Sequence, residues 1–309
     1  MNRSKRTTRR TFIKSAAAVA GAAVVVSMPG CAGPGVRRKP RYVIPSLTSP
    51  RLEKLRVAFI GTGGMGASHL ESTQHLGITC PCYCDVDTAR MQKAAELYPD
   101  ARPYQDYRQM FDKEHKNFDA VMIAIPDHHH YPATVIAMQH GKHVYTQKPL
   151  AHTPWEARKL AEGAVKYKVA TQMGNQGHAM EGWRQVYEWY HAGSLGQIKE
   201  VHVWTNRPSG WWPQGIDRPE GEDPVPANLD WDVWLGPAPV RPFKNGVYHP
   251  FVWRGWWDFG CGAIGDMACH IMDPANWSLG LSRAESFTVE VVTQEGMTAQ
   301  TYPLKSIIK

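Results

Sequence analysis

Between Leu55 and Met173, short and almost unbroken apolar runs alternate with longer stretches in which apolar residues recur every three or four positions. The runs predict strands over 55–60, 78–84, 120–125, 143–147 and 169–173, and the periodic stretches predict helices over 65–76, 88–97, 131–140 and 154–167. A run such as Ala120-Val121-Met122-Ile123-Ala124-Ile125 has no polar alternation. It reads as a strand buried on both faces, hence a parallel sheet covered by helices on either side. Beyond Thr171 the texture changes. Almost all of the 12 tryptophans follow residue 180, among prolines, glycines and strand-like pieces at Ile198–Thr205 and Ala284–Thr293. That half predicts an α+β unit built on a mostly antiparallel sheet.

The first strand stops at Gly61-Thr62-Gly63-Gly64-Met65-Gly66, and Asp85 follows at the end of the second strand. In this setting Gly61 permits a tight turn, Gly63 lets backbone approach a pyrophosphate, and Gly66 lets the helix lie close to the strand. Gly64 and Met65 complete the loop. The free N–H groups at the helix start then receive phosphate. A carboxylate at Asp85 accepts the ribose hydroxyls of NAD and repels the extra phosphate of NADP, so NAD is favoured. The predicted architecture is α/β: an N-terminal Rossmann dinucleotide-binding domain over 54–173 and a substrate domain over 174–309.

Charge changes the picture at one end only. The chain carries a net +7, but ten Lys/Arg and no acid fall within residues 1–41, so the remainder is acidic overall and offers no footprint for nucleic acid. Thr8-Arg9-Arg10-Thr11-Phe12-Ile13-Lys14 followed by the uncharged stretch Ser15–Val26 matches a twin-arginine export signal over 1–31. That stretch is too short to span a bilayer, so no transmembrane segment is expected in the mature chain. The expected location is the periplasm, with lipid attachment at Cys31 as an alternative. Residues 32–53, rich in proline and basic side chains, read as an arm or linker. Cys80, Cys82 and Cys84 alternate, which would put all three on one face of a strand, and their spacing is not that of a metal site.

Three further motifs carry chemistry: Ile125-Pro126-Asp127-His128-His129-His130, Gln147-Lys148-Pro149, and Gly265-Asp266-Met267-Ala268-Cys269-His270. Three adjacent histidines cannot all face one ion, so no metal is expected. With the glycine loop, these motifs resemble the glucose-fructose oxidoreductase, inositol dehydrogenase and rhizopine-catabolism (Gfo/Idh/MocA) family over about residues 54–309. The stretch Ala170–His178 and the segments around Trp231 and Trp253 resemble its exported, sugar-directed branch.

The resemblance implies that Lys148 reaches both the nicotinamide ribose and the substrate hydroxyl, that His270 accepts the proton, and that Asp266 holds substrate and orients His270. It also implies that Pro126 and His130 line the cofactor. The family normally has glutamate where this chain has Gln147, which removes a carboxylate that would favour the Lys148 ammonium. Asn175, Trp183, Arg184, His249 and Arg254 are the expected sugar contacts, with Gln176, His178, Arg207 and Trp212 as further candidates.

The implied function is NAD-dependent hydride transfer from a secondary hydroxyl of a sugar or glycoside. One alternative is a glycosidase or lyase that oxidises its substrate transiently and returns the hydride. A second is a truncated nucleotide-binding fragment without turnover, since family members continue through more of the second sheet. The expected partner is a small sugar, with a homo-oligomer as the assembly to test.

Overall fold

A computed structural model describes residues 54–309. The export signal over 1–31 and the arm over 32–53 lie outside the described residues. Six parallel strands form one sheet: β1 (Val57–Ile60), β2 (Cys82–Cys84), β3 (Arg102–Tyr104), β4 (Ala120–Ile123), β5 (His143–Gln147) and β6 (Thr171–Gly174). Their order is β3-β2-β1-β4-β5-β6. The order reverses beside β1, and the crevice above that reversal is where such sheets bind dinucleotides.

Alternation along β1 explains the two cores. Ala58 and Ile60 join Val121, Ile123, Met110 and Phe111 on one side, while Val57 and Phe59 join Leu70, Ala94 and Met91 on the other. Helices α1 (Met65–His75), α2 (Gln92–Leu97), α3 (Tyr107–Glu114), α4 (His130–Gln139) and α5 (Pro154–Tyr167) cover the two faces. Helix α5 is fixed at its start by a capping box between Thr153 and Glu156, with Pro154 where a missing N–H costs nothing.

Cys80, Cys82 and Cys84 do not share a face. Pro81 breaks the alternation, so the strand starts only at Cys82. Cys82 and Cys84 fall in one core and Cys80 in the other. Burial raises all three thiols, Cys80 to about 12, and they serve as packing groups in the core.

The second unit packs around Trp231, Trp234, Phe243, Tyr248, Trp253, Trp256 and Phe259. It contains α6 (Glu181–His191), α7 (Trp231–Leu235), α8 (Gly262–Ile271) and α9 (Asp273–Leu279). Its sheet is small: β7 (Val291–Glu295) pairs antiparallel with β8 (Lys305–Ile308). The strand expected over Ile198–Thr205 is not formed among the described residues. An extended segment needs a neighbour for its N–H and C=O groups, and this one lies exposed, Trp204 at 82%. Within Ala284–Thr293 only the part from Glu290 onward finds such a neighbour. No helix among the described residues is long and apolar enough to cross a membrane.

Candidate active site and cofactor cleft

The glycine loop is built for close approach. A Cβ on Gly61 would lie 2.1 Å from the Ala124 carbonyl oxygen, and one on Gly66 would lie 2.0 Å from that of Gly61. Gly61 also has φ +86°, a conformation that side chains resist. Helix α1 starts after Gly64 with no side-chain cap, so its first N–H groups face the crevice unclaimed by the protein's own side chains. This is an anion site at a helix start.

At the end of β2, the buried Asp85 carboxylate accepts from Thr62 N–H (2.9 Å, Oδ2) and Asp87 N–H (3.1 Å, Oδ1). Burial raises its pKa, against the pull of those two hydrogen bonds and of Arg90. Oδ1 keeps a lone pair for a ribose hydroxyl, while Oδ2 also has the Thr62 hydroxyl at 3.3 Å. The residues therefore fit a dinucleotide: a cradle closed to side chains, free amides for the pyrophosphate and a carboxylate for the diol.

A cavity of about 580 Å³ runs from this loop, past Asp85, Pro126 and Asp127, to Lys148, Trp253 and Arg254. At its inner end the Lys148 ammonium donates to Asp266 Oδ1 (2.6 Å) and to the Asp266 carbonyl (3.1 Å). Arg254 Nε donates to the same Oδ1 at 3.2 Å, and Arg207 Nη1 to Oδ2 at 3.0 Å. Burial alone would raise the Asp266 carboxyl. The charges of Lys148, Arg254 and Arg207 outweigh it and hold the group below the ordinary carboxylate value. Asp266 thus supplies Lys148 with the carboxylate partner that Gln147 does not. Gln147 itself meets the His69 ring.

His270 lies one turn beyond Asp266 on α8, where burial and the Lys148 charge lower its pKa. The ring is therefore neutral near pH 7, the form able to take a proton. Among the described residues no hydrogen bond joins Asp266 to His270. The expectation that the aspartate orients the histidine is not met, because both of its oxygens are taken by cations.

Other expected residues sit elsewhere. His130 does not line the cavity: it is buried, and its ring nitrogens face the carbonyls of Pro149 (2.6 Å) and Ile125 (2.8 Å), which brace the two loops carrying Lys148 and Pro126. Burial lowers its pKa to about 4. His249 reaches the cavity wall, but at the nucleotide side, bonded to Asp87 Oδ2 at 2.9 Å. Asn175 donates to the Cys269 carbonyl, tying the end of β6 to α8, while its buried Oδ1 has no partner among the described residues. Trp183 packs over Gly177, and Arg184 points outward on α6 and is exposed. An amphipathic helix exposes one face, and Arg184 is on it.

Arg90 and Asp127, both in the cleft, were given no site role from the sequence. Arg90 stretches across Gly63, its Nη1 2.6 Å from where a Cβ would stand. Asp127 is 2% exposed beside the cluster, and burial pushes its carboxyl up to about 7 against the charge of Arg254. An acid at a strand end next to Pro126 was the available signal for the second. Nothing local marked the first.

The family profile described as "Oxidoreductase family, NAD-binding Rossmann fold" matches residues 55–175, and "Oxidoreductase family, C-terminal alpha/beta domain" matches residues 208–307. The chain belongs to the Gfo/Idh/MocA family of NAD-binding oxidoreductases. Among curated proteins it is 32% identical over 171 residues to "Glycosyl hydrolase family 109 protein 1" of Shewanella sp. (strain ANA-3), covering 51% of this chain and 37% of that protein. It is 31% identical over 172 residues to "Alpha-N-acetylgalactosaminidase" of Shewanella oneidensis, with the same coverages. The match therefore spans little more than a third of the length of these relatives. Among solved structures, the WlbA dehydrogenase of Bordetella pertussis in complex with NADH and UDP-GlcNAcA superposes with a TM-score of 0.54 at 20% identity, over 73% of this chain and 58% of that one. At that identity the likeness concerns the fold.

Proposed function

We propose that the protein is an exported, NAD-dependent oxidoreductase acting on a secondary hydroxyl of a sugar or glycoside. The observation that carries this reading is the Lys148 ammonium at the inner end of the cofactor cleft, held by Asp266, with His270 one turn away on the same helix. NAD, when bound, supplies the hydride acceptor. Lys148 retains a third hydrogen with which to hold a substrate oxygen as negative charge develops on it. Neutral His270 takes the hydroxyl proton. Phe251 and Trp253 wall that end of the cavity. Export rests on Arg9, Arg10 and the apolar stretch after them.

The names of the curated relatives favour a second reading within the same chemistry, glycoside cleavage by transient oxidation with the hydride returned in each turnover. Exposing the NAD-loaded protein to a panel of methyl glycosides separates the two. Net NADH absorbance supports the dehydrogenase, and free methanol with unchanged absorbance supports cleavage. Lys148→Met and His270→Ala should each lower either signal by about 10² to 10⁴. Undiminished turnover in both variants would refute the assignment of roles.

A further inference from the structure

Three cations converge on one carboxylate at the inner end of the cleft. Asp266 Oδ1 takes Lys148 and Arg254 and Oδ2 takes Arg207, with Asp127 and Asp273 as acids nearby. Asp273 is engaged by His178 at 2.7 Å. The cluster is also semi-enclosed: the Arg207 and Arg254 side chains are 23% and 21% exposed, against 4% for Asp266. Surplus positive charge in such a place is not dissipated by water as it would be on an open surface.

The arginines are held rigidly and keep donors in reserve. Arg254 lies over the Phe251 and Trp253 rings (4.2 and 4.3 Å to the centroids), and Arg207 lies over Trp211 at 4.0 Å. Arg254 spends Nε on Asp266 and Nη1 on the Phe251 carbonyl, and Arg207 spends Nη1 on Asp266. Nη2 of each has no hydrogen-bond partner among the described residues. A neutral sugar needs no such surplus, since hydroxyls are satisfied by single amides or carboxylates.

Building on the oxidoreductase reading above, we propose that the substrate is a sugar acid, a uronic acid or uronide, whose carboxylate is received by Arg207 and Arg254 while its reacting hydroxyl meets Lys148. The planar fork of a guanidinium matches a carboxylate, and two stacked guanidinia fix the ring's orientation as well as binding its charge. Asp266 then has a second task besides aiming Lys148: it holds the two arginines in place when no substrate is bound.

The test is calorimetric binding to the full-length, NAD-loaded protein at 150 mM salt, using matched methyl glycosides and methyl uronides of the gluco and galacto series, with glucose 6-phosphate as a further anion. In at least one pair the uronide should bind about ten- to a hundredfold more tightly than its neutral partner, the scale of one or two charged hydrogen bonds. Arg254→Met and Arg207→Met should each remove most of that preference, the uronide losing at least about tenfold more affinity than its neutral partner. No preference in either pair would overturn the proposal, as would equal losses for acid and neutral ligands. Tighter binding of glucose 6-phosphate than of any uronide would overturn the carboxylate assignment. Selective uronide binding without hydride transfer would leave the subsite standing and refute the oxidoreductase reading. Turnover of neutral glycosides alone would do the reverse.

Discussion

Replacing Asp266 by Asn keeps the shape of the side chain and removes the one charge that three cations share. The carboxylate is 4% exposed, and its partners stand at 2.6, 3.0 and 3.2 Å. Removing one member of a buried ion pair costs about 3–5 kcal/mol, because the charge left behind is stranded. Here Lys148, Arg207 and Arg254 would also repel one another. With about 2–4 °C of melting temperature per kcal/mol in a protein of this size, the variant should melt about 10 °C lower at pH 7. The difference should depend on pH in a definite direction. The folded Asp266 carboxyl titrates below its unfolded counterpart, so its stabilisation is complete above about pH 4 and disappears as pH falls through the folded value. Melting curves of both proteins, stripped of cofactor, from pH 7 down to pH 3 should draw closer together toward the acid end. A gap smaller than about 2 °C at pH 7 would mean that the cations find other partners. A gap that stays constant down to pH 3 would mean that charge is not its cause.

Asp85→Ala should weaken NAD retention at least about tenfold in equilibrium dialysis, since the diol loses a charged acceptor. Equal retention would count against its role. Asp127→Asn should flatten the fall in stability between about pH 4 and pH 7: the folded carboxyl, raised to about 7 by burial, keeps its proton where the unfolded one releases it. Thermal midpoints that run parallel in variant and wild type across that window would refute this. Changing Arg9 and Arg10 together to lysine should leave the protein in the cytoplasm with its leader uncleaved, and normal appearance of that variant in the periplasmic fraction would exclude the twin-arginine route.

The strands of the parallel sheet were legible because burial on both faces leaves unbroken apolar runs, and Gly61, Gly66 and Asp85 were legible because backbone approach and diol binding tolerate few alternatives. β3 and α3 were not predicted. Pro103 argues against a strand, yet β3 is an edge strand, where a missing N–H is tolerated. Helix α3 did carry a signal, with Tyr107, Met110, Phe111 and Glu114 buried at helical spacing. In the second unit local patterning misled. Ile198–Thr205 alternates as a strand does, but strand formation depends on a partner that spacing along one segment cannot report. His130 and His249 show the same limit at the site: the chemistry of an imidazole was visible, but the fold decided whether it met cofactor, carbonyl or carboxylate.

The three consecutive histidines have a kinetic consequence. Both His128 and His129 turn Nε2 toward the Trp234 carbonyl, at 3.1 and 2.9 Å, and His128 N–H donates to the Phe259 carbonyl at 3.2 Å. On the other side of the cleft, Asp230 N–H donates to Val86 and Thr88 N–H to Asn228. The second unit is therefore clasped to the ends of both β4 and β2, astride the place where a dinucleotide would lie. Swinging the units apart would strip several buried hydrogen bonds at once and wet imidazoles that burial keeps neutral, His129 with its pKa lowered to about 4. A dinucleotide that exchanged by hinge opening would have to wait for all of them to break together. Its residence time would then be set by the clasp and not by its own contacts, the behaviour of a group carried through many turnovers instead of one traded with solution in each.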